Sequence, residues 1–319
     1  MKLGVGLFGT EPVARMVELA QLAEELGFAT AWIGDSQNLW RDAYVTLGAA
    51  AAATTSIGLG TGVTNAVTRH PSVLASAWTS LAELAPGRMR FAIGTGDSSL
   101  RSMGVAPQRV AELEESIRRL RALLAGEEVA GSRLQFALAE PIPLYVAAAS
   151  PRALRLAGRA ADGVVACVGV DPALVEAALR YVADGAREAG RNPADVRVVL
   201  WTAFAVADEA DVARDLVRAF TASAAMAPLV GDLDEEREAI AAIRQRYSYA
   251  EHMVTDAEHR ALVPDSLVAR IALAGTPADC RRQVDEIARL PIDQLSLVPF
   301  GDRPATMRRL FTDVVQGGS

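Results

Sequence analysis

Lysine is almost absent from this chain. Lys2 is the single lysine among the 32 basic residues, and every other basic residue is an arginine. A site for a phosphate or another anion must therefore be built from arginine, hydroxyl groups or backbone N–H groups.

Cysteine and histidine are also scarce. The two cysteines, Cys167 and Cys280, lie far apart and form neither a disulfide framework nor a metal motif. Two of the three histidines, His252 and His259, are seven residues apart, which is not the spacing of helical metal ligands. No Gly-x-Ser-x-Gly elbow or phosphate-binding Walker sequence occurs, so nucleophilic triads are disfavoured and no metal ligand is predicted. His252 and His259 are instead expected on a solvated face with Glu251, Asp256 and Glu258.

Net positive charge and long apolar runs are missing as well. The formal net charge is −7, which leaves no basic face for nucleic acid or an anionic membrane. No uninterrupted apolar run approaches the roughly 18 residues of a membrane span. Residues 1–8 enter a strand directly, without the basic and apolar regions of a signal peptide. We therefore expect a cytoplasmic protein that acts on a small molecule.

What the chain does have is a repeated alternation of apolar strands and amphipathic helices. Eight strand-then-helix units can be counted, with no linker rich in Gly, Ser or Pro between them. This rhythm predicts an α/β fold, a single (β/α)8 TIM barrel over residues 1–319, with a doubly wound sheet as the alternative. Residues 208–263 are too long for one helix and are expected to form a helical insertion or lid. The predicted strands are 3–8, 29–34, a third that starts at residue 57, 89–93, 144–148, 164–168, 196–206 and 294–299.

The stretch 57–71 is the most distinctive part of the sequence. It begins as a short strand with glycines at positions 58, 60 and 62, and it ends in a polar loop before Pro71. Glycines at alternate positions allow a flat ligand or another backbone to approach closely. In a barrel of parallel strands, the carboxyl end where such polar groups lie is also where active sites are found.

Three segments together resemble the luciferase-like monooxygenase superfamily of flavin- and deazaflavin-dependent barrels. They are GTGVTN with TRHP (60–65 and 68–71), IGTGDS (93–98), and AAASPRALRLAG with ADG (147–158 and 161–163). The resemblance is nearest to the branch that includes methylenetetrahydromethanopterin reductase and related enzymes that use coenzyme F420. It covers most of the chain but does not identify the reaction.

The resemblance implies roles for the ends of the third and fourth strands. Gly62 and Val63 would be joined by a non-prolyl cis peptide that forms a bulge against the flavin ring. Thr64 and Asn65 would hydrogen-bond the polar edge of the ring, and Gly96 would lie beside it. Asp97 would lie near the reactive carbon, in line with the expectation that a carboxylate at this end serves proton transfer or ring contact; the alternative is a cap for the next helix.

The end of the second strand departs from a related branch. The F420-dependent glucose-6-phosphate dehydrogenases place a catalytic histidine where Ser36 stands, so that base chemistry is not carried over. Trp40 is expected to form a wall of the substrate pocket, or else to pack between helices. Asn38 and Asp35 are further polar candidates, and His70 is expected to stabilise its loop. The candidate catalytic residues are therefore Asp97, Trp40 and Asn38.

The junction after the fifth strand supplies an anion site without lysine. A Ser hydroxyl, backbone N–H groups and the positive end of a helix meet there. The resemblance implies that this loop holds the cofactor phosphate, with Arg152 either pairing with it or capping the helix. The predicted members are Ala148, Ala149, Ser150 and Arg152, with Cys167, Val168 and Gly169 as the opposite wall.

These features predict a flavin-type oxidoreductase that transfers hydride between coenzyme F420 and a small organic substrate. The alternatives are an FMN-dependent two-component monooxygenase, which needs a flavin reductase as partner, and a non-catalytic flavin-binding relative. A phosphosugar-type barrel enzyme that uses only the anion loop is a further possibility. By analogy with the family we expect a homodimer formed through helices around strands two and three, including the alanine-rich helix 43–54, which we expect to be packed on both sides.

Overall fold

The computed structural model describes residues 1–254 and 257–316 of the chain. These two stretches contain nine strands. The strands are β1 Lys2–Leu7, β2 Thr30–Ile33, β3 Gly58–Thr64, β4 Met89–Ile93, β5 Leu144–Ala148, β6 Gly163–Ala166, β7 Arg197–Val206, β8 Leu273–Gly275 and β9 Gln294–Pro299.

Eight of these strands close into a barrel in which every neighbouring pair is parallel. The order runs from β1 through β7 to β9, and β9 pairs with β1 again. Parallel closure of this kind puts the carboxyl ends of all eight strands at one mouth. The predicted (β/α)8 TIM barrel is confirmed.

The ninth strand, β8, was not predicted from the sequence. Its residues pair only with the last residues of β7, Phe204 to Val206, beyond the part of β7 that pairs with β6. A strand of three residues leaves no period-two pattern to detect, and residues 265–275 form a nearly continuous apolar run that begins as a helix.

Twelve α-helices surround the barrel within the described residues, and several of them begin with the expected signals. Thr276 caps the helix after β8 with its hydroxyl, and a proline occupies the first turn. The helices are α1 Val13–Leu26, α2 Ala43–Ala53, α3 Pro71–Leu84, α4 Asp97–Arg101, α5 Val110–Leu124, α6 Pro151–Ala160, α7 Pro172–Glu188, α8 Ala210–Ala225, α9 Arg237–Arg246, α10 Asp265–Ile271, α11 Pro277–Ile287 and α12 Arg303–Arg309.

The segment 208–263 forms helices α8 and α9 and two short 3₁₀ turns, Tyr249–Glu251 and Glu258–Leu262. The alanine-rich helix α2 was expected to pack on both sides. In the single chain its outer face is open instead, because Val45 on that face is 61% exposed. No helix in residues 1–254 and 257–316 is both long enough and apolar enough to cross a membrane.

Bulky indole rings fill the upper interior of the barrel, and glycines make room for them. A Cβ atom on Gly6 would lie 2.5 Å from the Trp201 ring, and one on Gly60 would lie 2.2 Å from the backbone oxygen of Arg90 and 2.9 Å from the Trp32 ring. The glycines of β1 and β3 thus admit side chains and a neighbouring backbone into space that a Cβ atom would occupy. Trp32 and Trp201 form the floor beneath the barrel mouth.

Candidate active site

A cavity of about 260 Å³ opens at the carboxyl ends of the barrel strands. Its lining comes from the ends of β1 to β7 and from the segment 208–263, which contributes Phe220, His252 and Met253. This is the end of a (β/α)8 barrel where active sites lie. Of the predicted site residues, those that line the cavity are Asp35, Trp40, Gly62, Val63, Thr64, Gly96, Asp97, Ala149, Cys167 and Gly169.

The end of β3 forms one side of this cavity. The peptide bond between Gly62 and Val63 is cis, in agreement with the resemblance. The side chain of Val63 lines the cavity, whereas the missing Cβ of Gly62 points toward Trp32 and Trp201, 2.8 and 2.9 Å away. Glycine at position 62 therefore makes room for the indole rings rather than for a ligand.

The side chains of Thr64 and Asn65 are already bonded within the protein. The Thr64 hydroxyl donates to Asp35 at 2.6 Å and accepts from the Tyr44 hydroxyl at 3.3 Å. The Asn65 side chain donates to Ser99 at 3.0 Å, and its oxygen accepts from the backbone N–H groups of residues 67 and 68 at 3.0 and 2.9 Å. Both side chains hold the β3 loop in place, and their predicted bonds to the polar edge of a flavin stay a prediction.

A buried ion pair supports this loop from below. Asp35 is 3% exposed, and its Oδ2 accepts from Arg69 at 2.7 Å as well as from Thr64. Burial raises the pKa of Asp35, and the nearby Arg69 guanidinium acts in the opposite direction. Arg69 also bonds Asp42 at 2.6 Å. The neighbouring His70 accepts from the backbone N–H of residue 72, so it stabilises the loop as expected.

Asp97 lies at the rim of the cavity, at the first position of α4. Its side chain is 51% exposed, and Oδ1 accepts from Arg101 at 2.7 Å and from the Tyr249 hydroxyl at 3.2 Å. Gly96, rather than Asp97, is the residue that precedes the helix as its cap, with φ of 88°. Asp97 is therefore placed for contact with a ligand but is partly neutralised by Arg101.

Trp40 and Asn38 come from the same loop but lie in different places. The Trp40 ring stacks on Phe8, with ring centroids 4.4 Å apart, and both rings line the cavity. Asn38 is exposed and donates to the backbone oxygen of Ser102 at 3.5 Å, outside the cavity. The structure therefore brings Trp40, but not Asn38, together with Asp97.

The loop after β5 borders a second groove of about 350 Å³. The Ser150 hydroxyl caps α6 by accepting from the backbone N–H of Ala153, and Arg101 lies across the groove. Asp97 and Ala149 line both spaces, so the groove adjoins the cavity.

Three predicted members of this region lie off the lining. Ala148 and Val168 are buried at 4% and 0%, and Arg152 is exposed on α6 outside both spaces. Cys167 does face the cavity, and burial raises the pKa of its thiol to about 12. At neutral pH such a thiol is protonated, so Cys167 is an uncharged part of the cavity wall.

His252 is a cavity residue that the sequence analysis assigned to a solvated face. That prediction is wrong: His252 and His259 are only 8% and 2% exposed. Nδ1 of His252 lies 2.6 Å from the Tyr247 hydroxyl, and burial lowers the pKa of His252 to about 4. The pKa of Tyr249 is raised to about 12, first by burial and then by Asp97. Asp256, the fifth member of the expected face, lies outside the described residues.

One signal for this cluster was present in the sequence. Tyr247, Tyr249 and His252 fall within six residues of a segment otherwise rich in charge, and aromatic residues of this kind seek an apolar surface. Within 1–254 and 257–316, no group of three or more His, Cys, Asp or Glu side chains could hold a metal ion.

Comparison with known proteins shows which enzymes this chain resembles in sequence and fold. A family model described as luciferase-like monooxygenase matches residues 2–294. A 5,10-methylenetetrahydromethanopterin reductase of Methanolobus tindarius is 33% identical over 314 residues, which is 92% of this chain and 93% of that protein. An F420-dependent glucose-6-phosphate dehydrogenase of Beutenbergia cavernae is 36% identical over 206 residues, 56% of this chain and 60% of the relative. Among solved structures, the coenzyme F420-dependent tetrahydromethanopterin reductase of Methanopyrus kandleri has a TM-score of 0.79 at 23% identity, covering 100% of this chain and 99% of the other.

Proposed function

Because the chain belongs to the luciferase-like monooxygenase family, and is an enzyme as its relatives are, we propose that it transfers hydride between coenzyme F420 and a small organic substrate. The family inferred from the three sequence motifs is thus confirmed. The observation that carries the proposal is that the cavity at the barrel mouth and the groove at the start of α6 adjoin and share lining residues. A flat ring and a phosphate-bearing tail need two adjoining spaces of this kind.

The residues present fit such a cofactor. Val63 and the backbone around it offer an apolar surface for the ring, and Gly96 and Gly169 leave space along its edges. At the tail, the Ser150 hydroxyl, the backbone N–H of Arg152 and the guanidinium of Arg101 would form an anion site without lysine. The other N–H groups of the first turn of α6, those of Ala153 and Leu154, are bonded to Ser150. Ala148 and Val168 line neither space, so the proposed site does not include them.

When bound, the cofactor supplies the carbon that gives or takes the hydride. The protein binds and orients the reactants and keeps water away from them. Phe8, Trp40 and Trp201 form an apolar wall, and Phe220 and Met253 from the segment 208–263 cover it. We assign to this segment the role of a lid.

The choice of F420 over FMN rests on the relatives at 33% and 36% identity, whose names include an F420-dependent dehydrogenase and a reductase of a pterin coenzyme. FMN with a separate flavin reductase is the second candidate, because the family description itself is that of a monooxygenase. The proposed homodimer rests on the family analogy and on the outer side of α2 and α3, where Val45 and Val73 are 61% and 54% exposed.

A parallel titration with F420 and FMN tests the proposal. Trp40 and Trp201 line the cavity, so a bound ring should quench the intrinsic fluorescence. We expect micromolar F420 binding and weaker FMN binding, followed by F420 turnover with a reducible or oxidisable substrate. Tighter FMN binding would favour the monooxygenase, tight binding without turnover a carrier protein, and binding of neither would overturn the proposal.

A further inference from the structure

The part of the cavity that faces the lid is predominantly apolar. The barrel side contributes the rings of Phe8 and Trp40, and the lid itself contributes Phe220 and the thioether of Met253. The Phe8 and Trp40 rings are stacked with an interplanar angle of 10°, so they present one flat wall. Such a surface binds hydrocarbon and excludes strongly hydrated groups.

The described part of the lining contains no arginine or lysine. Its two carboxylates, Asp35 and Asp97, are already paired with Arg69 and Arg101. A phosphate or carboxylate on a substrate would therefore lose its water, find no cation and meet two acidic side chains. The lining disfavours an anionic substrate such as a sugar phosphate.

The hydroxyl groups on the lining, those of Thr64, Ser98, Ser99 and Ser223, are already bonded within the protein. His252 provides a further neutral polar group on this apolar wall. Its Nδ1 is engaged by the Tyr247 hydroxyl at 2.6 Å, while Nε2 has no hydrogen-bond partner among residues 1–254 and 257–316. The imidazole lies beside Trp40, with ring centroids 6.4 Å apart, and near Tyr249 at 6.2 Å. Nε2 is not among the fully buried unpartnered atoms of the described residues, and His252 lines the cavity, so this nitrogen is accessible to a ligand there. It can form a hydrogen bond with an oxygen that the ligand supplies.

We propose that the substrate is an uncharged, mainly apolar molecule with one oxygen, and that Nε2 of His252 hydrogen-bonds this oxygen. This inference rests on the proposed function, because it takes the cavity above the cofactor ring as the substrate site. The aromatic wall supplies the affinity, and the imidazole orients the oxygen. The segment 208–263 then provides the polar contact as well as the cover.

Cyclohexanone and its oxygen-free analogue methylenecyclohexane are matched probes for this contact. They are titrated into the protein with and without F420, with tryptophan fluorescence as the readout and glucose 6-phosphate as the anionic comparison. We expect cyclohexanone to bind more tightly than glucose 6-phosphate. His252→Phe, which keeps a buried ring, should weaken cyclohexanone binding about tenfold but leave methylenecyclohexane binding unchanged. His252→Gln, which keeps a polar end, should recover part of the loss.

A measurement on the unchanged protein guards against variants that do not fold. With ¹⁵N-labelled histidine, the Nε2 signal of His252 should shift with cyclohexanone and stay in place with methylenecyclohexane. No cyclohexanone binding at millimolar concentration, tighter binding of glucose 6-phosphate, or an equal effect of His252→Phe on both probes would each overturn the inference. Because the probes are also tested without cofactor, a failure of F420 to bind is seen separately and overturns the proposed function instead.

Discussion

The guanidinium of Arg69 lies between two carboxylates, 2.7 Å from Oδ2 of Asp35 and 2.6 Å from Oδ2 of Asp42. The Asp35 side chain is 1% exposed, whereas that of Asp42 is 45% exposed. The same guanidinium stacks over the Tyr44 ring at 4.5 Å. One side chain thus joins the ends of β2 and β3 to the start of α2, directly under the cavity.

Replacing Arg69 by Met should lower the free energy of unfolding by about 3–5 kcal/mol, because it leaves a buried carboxylate without its cation. Urea unfolding at neutral pH measures this loss. The loss should shrink as the pH falls, because without Arg69 burial alone acts on Asp35 and raises its pKa further above the unfolded value. The folded state then binds the proton first, so its stability increases toward acid.

The control for this prediction is Arg118→Met, at an exposed pair with Glu115 in which the two side chains are 68% and 41% exposed. It should change the unfolding free energy little. Adding Asp35→Asn to Arg69→Met should recover part of the loss. An Arg69→Met protein as stable as the unchanged chain would contradict the importance of this pair.

The sequence was sufficient to predict the barrel and much of its mouth, for a physical reason. Strand and helix periods repeat along the whole chain, and the carboxyl ends of parallel strands must meet, so Trp40, Val63 and Asp97 could be assigned to one place. The direction of each side chain within a loop was not predictable. Asn38 turns outward with φ of 67°, and Asn65 bonds its own loop.

The lid shows a different limit of sequence reasoning. Residues 247–252 look charged and irregular, yet they fold over the barrel mouth and bury His252. The aromatic residues indicate that this segment seeks an apolar surface, but its partners, such as Asp97 and Trp40, lie more than 100 positions away, and no local pattern identifies them. The short β8 was missed for the same reason, because it exists only through its pairing with β7.

Glu24 at the end of α1 should stabilise the turn before β3. Its carboxylate accepts backbone N–H groups from residues 55, 56 and 57 at 2.6 to 2.9 Å. Burial acts to raise the pKa of Glu24, but these bonds lower it to about 2. Glu24→Gln should lower the unfolding free energy at pH 7 by about 1–2 kcal/mol, a modest loss because the half-buried carboxylate is partly screened by solvent.

The lowered pKa of Glu24 also predicts how the effect of Glu24→Gln changes with pH. A carboxyl group with a lowered folded pKa stabilises fully above its unfolded pKa, and the effect is lost as the pH falls from about 4.5 toward 2. The stability difference between Glu24→Gln and the unchanged protein should therefore disappear in acid. Glu25→Gln is the neighbouring control and should have little effect; equal losses from both variants would argue against the capping role.

Burial of neutral His252 should make the protein less stable in mild acid. The folded pKa of about 4 lies below the unfolded value of 6.5, so the unfolded chain binds the proton first as the pH falls. Above about pH 6.5 the folded protein loses no stability through His252. Between this pH and pH 4 the free energy of unfolding should decrease by on the order of 3 kcal/mol. Chemical unfolding across this range measures the slope, to which buried His259 also contributes in the same direction.

Two variants separate the contribution of His252 from the background. His252→Gln has no titrating ring, so its acid slope should be shallower than that of the unchanged protein. Tyr247→Phe removes the hydrogen bond but leaves the ring buried, and because burial is the main cause of the low pKa, the slope should remain. A His252→Gln protein with the full acid slope would show that the imidazole is not buried in solution.

The side chain of Val63, rather than Gly62, is the place to test the cofactor surface. Gly62→Val would place its Cβ 2.8 Å from Cβ of Trp32 and 2.9 Å from the Trp201 ring, so it would disturb the barrel interior whether or not a cofactor binds.

Val63 is half-buried and faces the cavity. Val63→Ala removes two methyl groups from the proposed ring surface, which should weaken F420 binding about fivefold, or about 1 kcal/mol. Val67→Ala on the same loop, at a side chain that is 41% exposed and lies outside the cavity, is the matched control for fluorescence titration. If Val63→Ala binds F420 as tightly as Val67→Ala does, the ring does not rest on β3, and its place in the cavity must be sought against another strand end.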